Sequence, residues 1–386
     1  MADNKSKKFS LFLSKKFDYS ILIITLLLLC IGLIMLLSAS APTSLAESGN
    51  SYKYVIRQSI VAIVGLVLMI AISKIDYRIY KKLSWIIYVG FLILLILVGF
   101  MGTDAGGARR WINIFGFSFQ PSEFAKVGFI IFYAALLSNL KEKNEIKNLG
   151  KGFLFPLMFL VPVIYAIFIL QNHFSATLII MAITIVQMFV AGSSVKYFLA
   201  SGATGAIGIA AYVLKSVSSS DGGGFRLGRI QTWLNIESDL TGTGWQINQS
   251  LYAIGSGGLF GVGLGNSKQK HLYLPEPHND FIFAVLAEEL GFFGSVLVIL
   301  LFAAFVWRGI VIAIKSQDNF GTLIAIGLTT MIGLQALINI AVVTNTIPVT
   351  GMPLPFFSYG GSAMLADLIA VGILLSISRN SKKTNS

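Results

Sequence analysis

Residues 19–40 read YSILIITLLLLCIGLIMLLSAS, a run without a single charged side chain. A helix needs about 20 apolar residues to cross a hydrocarbon core of about 30 Å. Comparable runs recur along the chain at 55–73, 84–101, 121–140, 153–171, 174–192, 197–215, 281–307, 320–343 and 361–378. None alternates with the two-residue period of a transmembrane barrel strand, so each satisfies its backbone polar groups as a helix. The sequence therefore predicts an all-α polytopic membrane protein with about ten transmembrane helices.

The composition agrees with this fold class. Of the 386 residues, 55% are hydrophobic and 12% are charged, about half the charged fraction of an average soluble domain. We find no soluble domain and no internal repeat, and predict a single domain over residues 1–386. The single cysteine, Cys30, lies in the first span, so no internal disulfide and no cysteine metal site is expected. Three histidines also make a zinc centre unexpected.

The basic residues orient the predicted bundle. If both termini are cytoplasmic, most of the 29 Lys and Arg residues fall in short inside segments close to helix ends, where the positive-inside rule holds best. The net charge of +12 then reflects the orientation of the helices in the membrane. It also favours contact with anionic membrane lipids. These residues share no common face, so we predict no nucleic-acid partner. In this orientation residues 216–280 form one large extracellular loop, too long for a connector.

Ionisable groups in or beside apolar spans are costly in lipid, so each is a functional candidate. The first set contains Arg110 and the stretch QPSEFAK at 120–126. Glu123 and Lys126 lie three residues apart on one side of a helix, with Lys126 about 7 Å into the span. Two interpretations stay open. The pair is either structural and neutralises itself, or it belongs to a cationic pocket in which Arg110 and Lys126 bind an anionic lipid headgroup.

The second set is LPEPHNDFIF at 274–283. Asp280 stands just before a predicted helix, which is an ordinary N-cap position for aspartate. Glu276 and His278 crowd the same stretch, and three titratable groups beside the membrane surface also suit general acid–base chemistry. Both interpretations of Asp280, as helix cap and as catalytic group, therefore stay open.

Three further features are more ambiguous. Glu288 and Glu289 do not form one face with the preceding aspartate, and we interpret them as packing partners or counter-ions. TGMPLPFFSYGGS at 350–362 predicts a broken, re-entrant segment that either lines a substrate groove or only packs inside the protein. The glycine-rich part of the large loop, which contains Gln249, indicates either tight turns or direct substrate contact. It lacks the Lys-Ser/Thr and the preceding strand of a nucleotide-binding P-loop.

Together these motifs resemble the SEDS family of bacterial cell-wall polymerases, the family of RodA, FtsW and SpoVE. The resemblance rests on GARRWI at 107–112, QPSE at 120–123 with Lys126, GWQINQS at 244–250, AIGSGG at 253–258, LPEPHNDFIF at 274–283 and LPFFSYGGS at 354–362. SKQK at 267–270 is more similar to the FtsW/SpoVE branch than to RodA. The chain departs from the family pattern at Asn279, where many members carry Thr. It departs again at 171–175, where QNHFS replaces a frequent Pro-Asp-x-Gly segment and removes an acid.

The resemblance implies a peptidoglycan glycosyltransferase of the bacterial plasma membrane that polymerises lipid II and releases polyprenyl diphosphate, in septal or related cell-wall synthesis. The acidic residue of the family's large external loop, held essential for polymerisation, corresponds to Asp280. We therefore expect Asp280 to be catalytic, as general base. The residues expected to bind the substrate are Arg110, Glu123, Lys126, Gln249, Glu276, His278 and Ser358.

The same resemblance sets the expected partners and leaves two other function classes open. Lipid II is the expected substrate, and the expected partners are a class B penicillin-binding protein, other divisome or elongation proteins and membrane lipids. No metal ligand is predicted, although a divalent cation, Mg²⁺ or Mn²⁺, is an open alternative for stabilising the leaving group. A transporter that flips lipid II would be favoured by inverted repeats with paired broken helices. A non-catalytic scaffold that recruits a transpeptidase is the third interpretation.

Overall fold

The computed structural model describes residues 17–105, 108–114, 117–200, 232–236, 239, 242–271 and 273–381. Nine helices in this part of the chain are long and apolar enough to cross a membrane, and a shorter one, α7, lies in the large loop. The helices are α1 (Tyr19–Ser48), α2 (Lys53–Lys74), α3 (Arg78–Met101), α4 (Pro121–Glu142), α5 (Leu149–Leu170), α6 (Phe174–Ala191), α7 (Thr243–Gly257), α8 (Ile282–Ile314), α9 (Asn319–Val343) and α10 (Gly361–Arg379).

Local sequence explains where several of these helices begin and end. Pro121 occupies the first turn of α4, where its missing N–H costs nothing, and Glu123 in the same turn suits the positive helix N-terminus. The carboxylate of Asp318 caps α9 by accepting the amide of Gly321. Gly192 ends α6 with a φ of +99°, in the left-handed region that favours glycine.

Five of the described membrane-spanning helices begin at the same end of the bundle: α2, α4, α6, α8 and α10. The backbone amide just before α4 donates a hydrogen bond to Oγ of Ser362 in α10 (2.9 Å). Ser175 of α6 donates one to the carbonyl of Thr350. The carboxylate of Asp280, just before α8, lies beside the adjacent Gly351. The candidate motifs are therefore collected at one face of the protein.

Nine of the ten predicted spans coincide with these helices. The tenth, at 197–215, lies outside the described residues beyond residue 200. The predicted all-helical membrane fold is thus confirmed for the part of the chain that the structure describes.

A small antiparallel sheet between α3 and α4 was not predicted. Its strands are β1 (Thr103–Ala105), β2 (Ala108–Ile114) and β3 (Phe117–Phe119), in the order β1-β2-β3. The ladder pairs Thr103 with Trp111 and Ile112 with Phe119. Strands of three residues carry too little periodicity to be recognised, although aromatic and β-branched residues in β2 suit a strand. The sheet places Arg110, on β2, at the outer face.

Helix α8 is not the continuous span that the sequence predicted, because its backbone breaks at Gly291 (φ 68°, ψ −165°). The turn after α7 fills the break. The amide of Val262 donates to the carbonyl of Glu288 (3.0 Å), and the amide of Phe292 donates to the carbonyl of Gly258 (2.9 Å). The external loop is therefore hydrogen-bonded into α8 about two turns below its start.

Glu123 and Lys126 lie on the most buried of the described membrane-spanning helices. Of the 18 most apolar consecutive residues in each helix, 83% are buried in α4 and 78% in α10, whereas only 22% are buried in α2. The faces that α2 and α3 leave exposed are apolar, as contact with lipid requires. Glu123 and Lys126 on α4 are consequently held at the centre of the bundle, away from lipid.

Candidate active site

Asp280 lies in the turn that leads into α8, and its carboxylate borders a glycine. Its Oδ2 is 3.4 Å from the place that a Cβ on Gly351 would occupy, and Gly351 has a φ of +67°. The N-cap of α8 is Phe281, one residue further on, so Asp280 does not hold the N-cap position that the sequence suggested. Asp280 is partly exposed. A carboxylate that is both partly exposed and fixed against backbone is well placed to accept a proton from a bound molecule.

Two polar side chains hold this turn against the segment that precedes α10. Asn339 of α9 donates through Nδ2 to the carbonyls of Asp280 (2.7 Å) and Met352 (2.6 Å). The hydroxyl of Ser358 donates to the carbonyl of Asn279 (2.6 Å) and accepts a backbone amide of its own segment. Ser358, which we expected to contact the substrate, is therefore engaged in positioning the backbone around Asp280.

The segment before α10 is non-helical over residues 344–360, as its sequence predicted. It is also buried: Phe356 and Phe357 are 2% and 1% exposed. Packing against α1 is so close that a Cβ at Gly32 would collide with the carbonyl oxygen of Phe356. Irregular backbone at this depth is tolerated only inside the protein or along a cavity, so the segment forms a fixed wall beside Asp280.

Glu276 and His278 precede this turn in different surroundings. Glu276 is exposed, accepts a hydrogen bond from Nδ2 of Asn279 (2.6 Å), and lies 3.8 Å from Nε2 of His278. His278 is buried, with its ring centroid 4.7 Å from that of Tyr54. Burial lowers the pKa of His278, and the carboxylates of Glu276 and Glu47 oppose this effect without reversing it. A neutral imidazole therefore faces an exposed carboxylate.

Glu123 and Lys126 form an ion pair in the first turns of α4, with 2.8 Å between Oε2 and Nζ. Both are buried, at 4% and 1% exposure, so the pairing expected from their spacing is present. The hydroxyl of Ser122 lies 3.4 Å from Nδ1 of His173. Because Lys126 is so deeply buried, an anionic group could reach it only by entering the bundle.

Arg110 contacts the turn between α5 and α6. Its guanidinium donates to the carbonyls of Gln171 (3.3 Å) and Asn172 (2.6 Å). His173 in the same turn is buried, and its pKa is lowered well below the usual value, first by burial and then by the positive charges of Arg110 and Lys126. The two predicted cations are thus close enough to act on one imidazole. The guanidinium of Arg110 also fixes the turn before α6 through these two hydrogen bonds.

A continuous series of contacts connects Lys126 with Asp280 across the starts of α4, α6, α8 and α10. The first turn of α6 and the segment before α10 are joined by the hydrogen bond from Ser175 to the carbonyl of Thr350. We call this series the polar belt. Its members are Lys126, Glu123, Ser122, His173, Ser175, Thr350, Gly351 and Asp280.

Three side chains in and around the polar belt were not predicted from the sequence. His173 and Ser175 lie in a motif to which no role was assigned, and only the packing of α6 brings His173 to Ser122 of α4 and Ser175 to Thr350. Asp367 of α10 is 2% exposed, and its charge interacts with those of Lys126 and Glu123. A signal for Asp367 was available, since an acidic residue inside an apolar span is a functional candidate by itself.

Glu288 and Glu289 fix the external loop to α8. The carboxylate of Glu288 accepts the backbone amide of Lys268 (2.9 Å). Glu289 forms a buried ion pair with Lys270, with 2.8 Å between Oε1 and Nζ. Their expected role as packing partners and counter-ions matches this geometry.

Gln249 is buried on α7 rather than presented at the outer surface. The neighbouring Ser250 donates to the carbonyl of Val343 (2.8 Å), at the end of α9. Helix α7 therefore packs against α9 as well as α8, at the same end of the bundle as the polar belt. Substrate contact by Gln249 stays a prediction that this geometry does not favour.

In the described part of the chain, the side chains form no metal site of their own. Within the described ranges, no group of three or more His, Cys, Asp or Glu side chains is placed to hold a metal ion. Asp280 and the Glu123–Lys126 pair belong to separate ends of the polar belt. The donor set thus does not fit a protein-held Mg²⁺ or Mn²⁺, and we assign no step of the chemistry to one.

Known proteins are similar to this chain in sequence along almost its whole length. Residues 19–383 match the family described as "Cell cycle protein", that of FtsW, RodA and SpoVE. The chain belongs to this family. Stage V sporulation protein E of Bacillus subtilis (strain 168) is 44% identical over 368 residues, which cover 95% of this chain and 98% of that protein. A probable peptidoglycan glycosyltransferase FtsW of Geobacter sp. (strain M18) is 40% identical over 364 residues, which cover 94% of this chain and 96% of that protein.

Solved structures of family members have the same fold. RodA of Thermus thermophilus matches with a TM-score of 0.69 and 25% identity, over 96% of this chain and 99% of that one. A chain from a peptidoglycan synthase complex, described as coordinating polymerization and crosslinking, matches with a TM-score of 0.77 and 27% identity. The match covers 94% of this chain and 98% of that one. The SpoVE and FtsW relatives are more similar in sequence than this RodA, in agreement with the predicted branch. The resemblance inferred from the motifs is thereby confirmed.

Proposed function

We propose that this member of the FtsW, RodA and SpoVE family is a peptidoglycan glycosyltransferase that polymerises lipid II at the outer face of the plasma membrane. The observation that carries the proposal is the polar belt, with the partly exposed carboxylate of Asp280 at one end and the buried ammonium of Lys126 at the other. A lipid-linked sugar diphosphate requires a base for the acceptor and a cation for the leaving group. Relatives described as peptidoglycan glycosyltransferases support the same activity.

Asp280 acts as the general base in the proposed reaction. It accepts the proton of the acceptor sugar's 4-hydroxyl as that oxygen forms a bond to C1 of the donor sugar. The bond from C1 to the diphosphate oxygen breaks, and its electron pair leaves with polyprenyl diphosphate, so the configuration at C1 inverts. Positioned general bases contribute on the order of 10²–10⁴ to rate. The frame built by Asn339 and Ser358 holds the turn that carries Asp280 against the segment before α10.

Lys126 stabilises the negative charge that develops on the diphosphate. Fixed positive groups aimed at developing charge are a large source of catalysis because they need no reorganisation during the reaction. The N-terminus of α4 adds its positive dipole at the same place. Arg110 holds the turn that covers this end of α4. The donor is already activated as a diphosphate, so no nucleotide site is needed.

The partners follow from the reaction and from the relatives. This chain is a multi-pass membrane protein, and glycan strands made at its outer face need a crosslinking enzyme beside them. The related chain from a peptidoglycan synthase complex supports a class B penicillin-binding transpeptidase as partner. Enrichment at the septum, with other divisome or elongation proteins, belongs to the same proposal and is tested by imaging a fluorescent fusion.

A lipid II flippase is the second candidate, and one observation favours it. Glu123, Lys126 and Asp367 are charged groups buried inside membrane-spanning helices, which is where transport pathways carry them. A flippase needs no base, whereas a polymerase does. The two activities are separated by whether the carboxylate of Asp280 is required for glycan synthesis.

The decisive experiment compares wild type, Asp280→Asn and the control Glu47→Gln in vesicles supplied with lipid II. An amide cannot accept the proton, so Asp280→Asn should lose on the order of 10²–10⁴ in polymerisation rate. Its thermal stability should stay near that of wild type, since Asp280 is not the N-cap of α8. Glu47→Gln removes another external carboxylate and should polymerise normally. Near-wild-type synthesis by Asp280→Asn would end the general-base proposal. Loss of translocation without loss of polymerisation would instead favour the flippase.

A further inference from the structure

A cavity at the end of the bundle opposite to the polar belt is not used by the proposed reaction. It lies where α4 ends and where α3 and α9 begin, and its volume is about 350 Å³. The predicted orientation assigns this end to the cytoplasmic face of the membrane. The side chains that line the cavity are Arg78, Lys81, Lys82, Glu142, Asp318 and Phe320. Three of the six are cations, which suits an anionic ligand.

The two acids of the lining are already held by fixed partners. The carboxylate of Asp318 accepts hydrogen bonds from the hydroxyl of Tyr77 (2.8 Å) and from Nε of Arg78 (3.0 Å). The carboxylate of Glu142 accepts one from Nζ of Lys81 (2.8 Å). Because both carboxylates are paired with cations, they do not compete for the remaining positive group of the lining.

Lys82 is the cation of the lining that these acids leave unpaired. It is exposed and makes no hydrogen bond or ion pair with any residue that the structure describes. Arg78 is more fully engaged, since its Nη2 donates to the side-chain oxygen of Gln317 (2.7 Å) and its Nη1 lies 3.7 Å from Oδ2 of Asp76. With Asp76 counted, three acids and three cations meet here among the described residues. The site therefore attracts an anion through the accessible ammonium of Lys82 and not through a net positive charge.

The side of α3 that carries Lys82 continues as an apolar surface. Ile86 lies one helical turn after Lys82, and Val89 and Ile93 follow at intervals of three and four residues, so they share one face of the helix. All three are exposed. Trp85, also exposed, is the type of residue that marks the boundary between lipid and water. A ligand held at Lys82 thus meets water at its head and lipid along its length, as an amphiphile does.

We propose that this cavity binds the headgroup of an anionic phospholipid, such as phosphatidylglycerol, from the leaflet on its own side of the membrane. The ammonium of Lys82 donates charge-assisted hydrogen bonds to the phosphate oxygens. N–H groups of Arg78 that Asp318 and Gln317 leave available contact the same phosphate, and one acyl chain lies along the apolar surface of α3. Basic pockets between helices on the cytoplasmic side are known to suit anionic lipid headgroups. The volume also falls within the range of about 300–1,000 Å³ that small-molecule sites occupy.

Thermal unfolding of the delipidated full chain in detergent tests the ligand class. The melting temperature should rise as phosphatidylglycerol is added, because a ligand that binds the folded state stabilises it. Phosphatidylcholine with the same acyl chains should raise it less at equal concentration, and inorganic phosphate should leave it unchanged. An equal rise with phosphatidylcholine would show that the anionic headgroup is not recognised. An equal rise with inorganic phosphate would show that the ligand is not a lipid.

Variants of exposed lysines test the site itself. Lys82→Ala should need about fivefold more phosphatidylglycerol for half of the maximal rise, as expected for losing one basic residue beside an anionic lipid. Because Lys82 has no partner among the described residues, this variant should unfold like wild type without added lipid. Lys82→Arg should respond as wild type does. Lys147→Ala removes an exposed cation that lies between α4 and α5, outside the cavity lining, and should also respond as wild type does.

Two results would overturn the proposed site. One is an unchanged response to phosphatidylglycerol in Lys82→Ala. The other is an equal weakening in Lys147→Ala, since overall charge would then explain the effect. Lipid II polymerisation does not enter these measurements, so the outcome is independent of the glycosyltransferase activity proposed above.

Discussion

Single residues of the polar belt hold charges that neither lipid nor the protein interior can solvate. Lys126→Ala would leave Glu123 buried without a partner, and breaking a buried pair in this way costs about 3–5 kcal/mol. We therefore expect a marked fall in thermal stability together with loss of lipid II polymerisation. Lys126→Arg keeps the positive charge and should lose less of both. Thermal unfolding in detergent and a polymerisation assay measure the two effects.

The double variant Glu123→Ala/Lys126→Ala separates the structural interpretation of this pair from the catalytic one. Removing both charges should restore much of the stability, because no uncompensated charge remains. Polymerisation should stay low, since the cation for the diphosphate is absent. Recovery of wild-type polymerisation by the double variant would show that the pair is structural only.

The buried histidines are expected to make the stability of the folded protein depend on pH. Burial lowers the pKa of His173 and of His278, so below a pH of about 6.5 the unfolded chain takes up protons that the folded protein does not. Stability should accordingly fall as pH decreases from about 7 to about 5. His173→Asn and His278→Asn should each flatten this dependence when the melting temperature is followed against pH. His271 is exposed, and an unchanged slope in His271→Asn is the matched control.

At the scale of elements, the contact between α7 and α8 depends on a glycine. A Cβ at Gly257 would collide with the carbonyl oxygen of Ala287, whereas Gly255 on the same helix has open space within 4 Å. Gly257→Ala should destabilise the protein by about 1–3 kcal/mol through overpacking. Gly255→Ala should be neutral or gain up to about 1 kcal/mol from helix propensity. Equal melting temperatures for the two variants would contradict this account of the packing.

The helices show which structural features could be predicted from the sequence and which could not. Pro121 and Glu123 mark the start of α4, and the apolar runs locate nine of the ten predicted spans, with ends that differ by up to about eight residues from those of the helices. The break of α8 at Gly291 was not foreseen, because glycines such as Gly32 and Gly65 also lie inside helices that continue unbroken. It is compensated by hydrogen bonds from the turn at 258–263, which is remote in sequence.

At the scale of the whole molecule, the orientation in the membrane is the first expectation to test. In a Cys30→Ser background, a cysteine at Ser218 should react with a membrane-impermeant maleimide in intact cells. A cysteine at Lys196 should react only after permeabilisation, and tags at both termini should report the cytoplasm. Labelling in the reverse order would invert the orientation and place the polar belt on the side opposite to the glycan product.

The sequence by itself determined the fold class, most of the spans, the family and the residue types of the chemistry. These follow from local constraints, since lipid demands uninterrupted apolar helices and the family motifs are contiguous in the chain. Only the tertiary structure brought Asp280 beside Gly351 and placed His173 and Asp367 near Lys126. Those proximities come from packing between helices that are far apart in sequence, and no local periodicity specifies which buried faces meet.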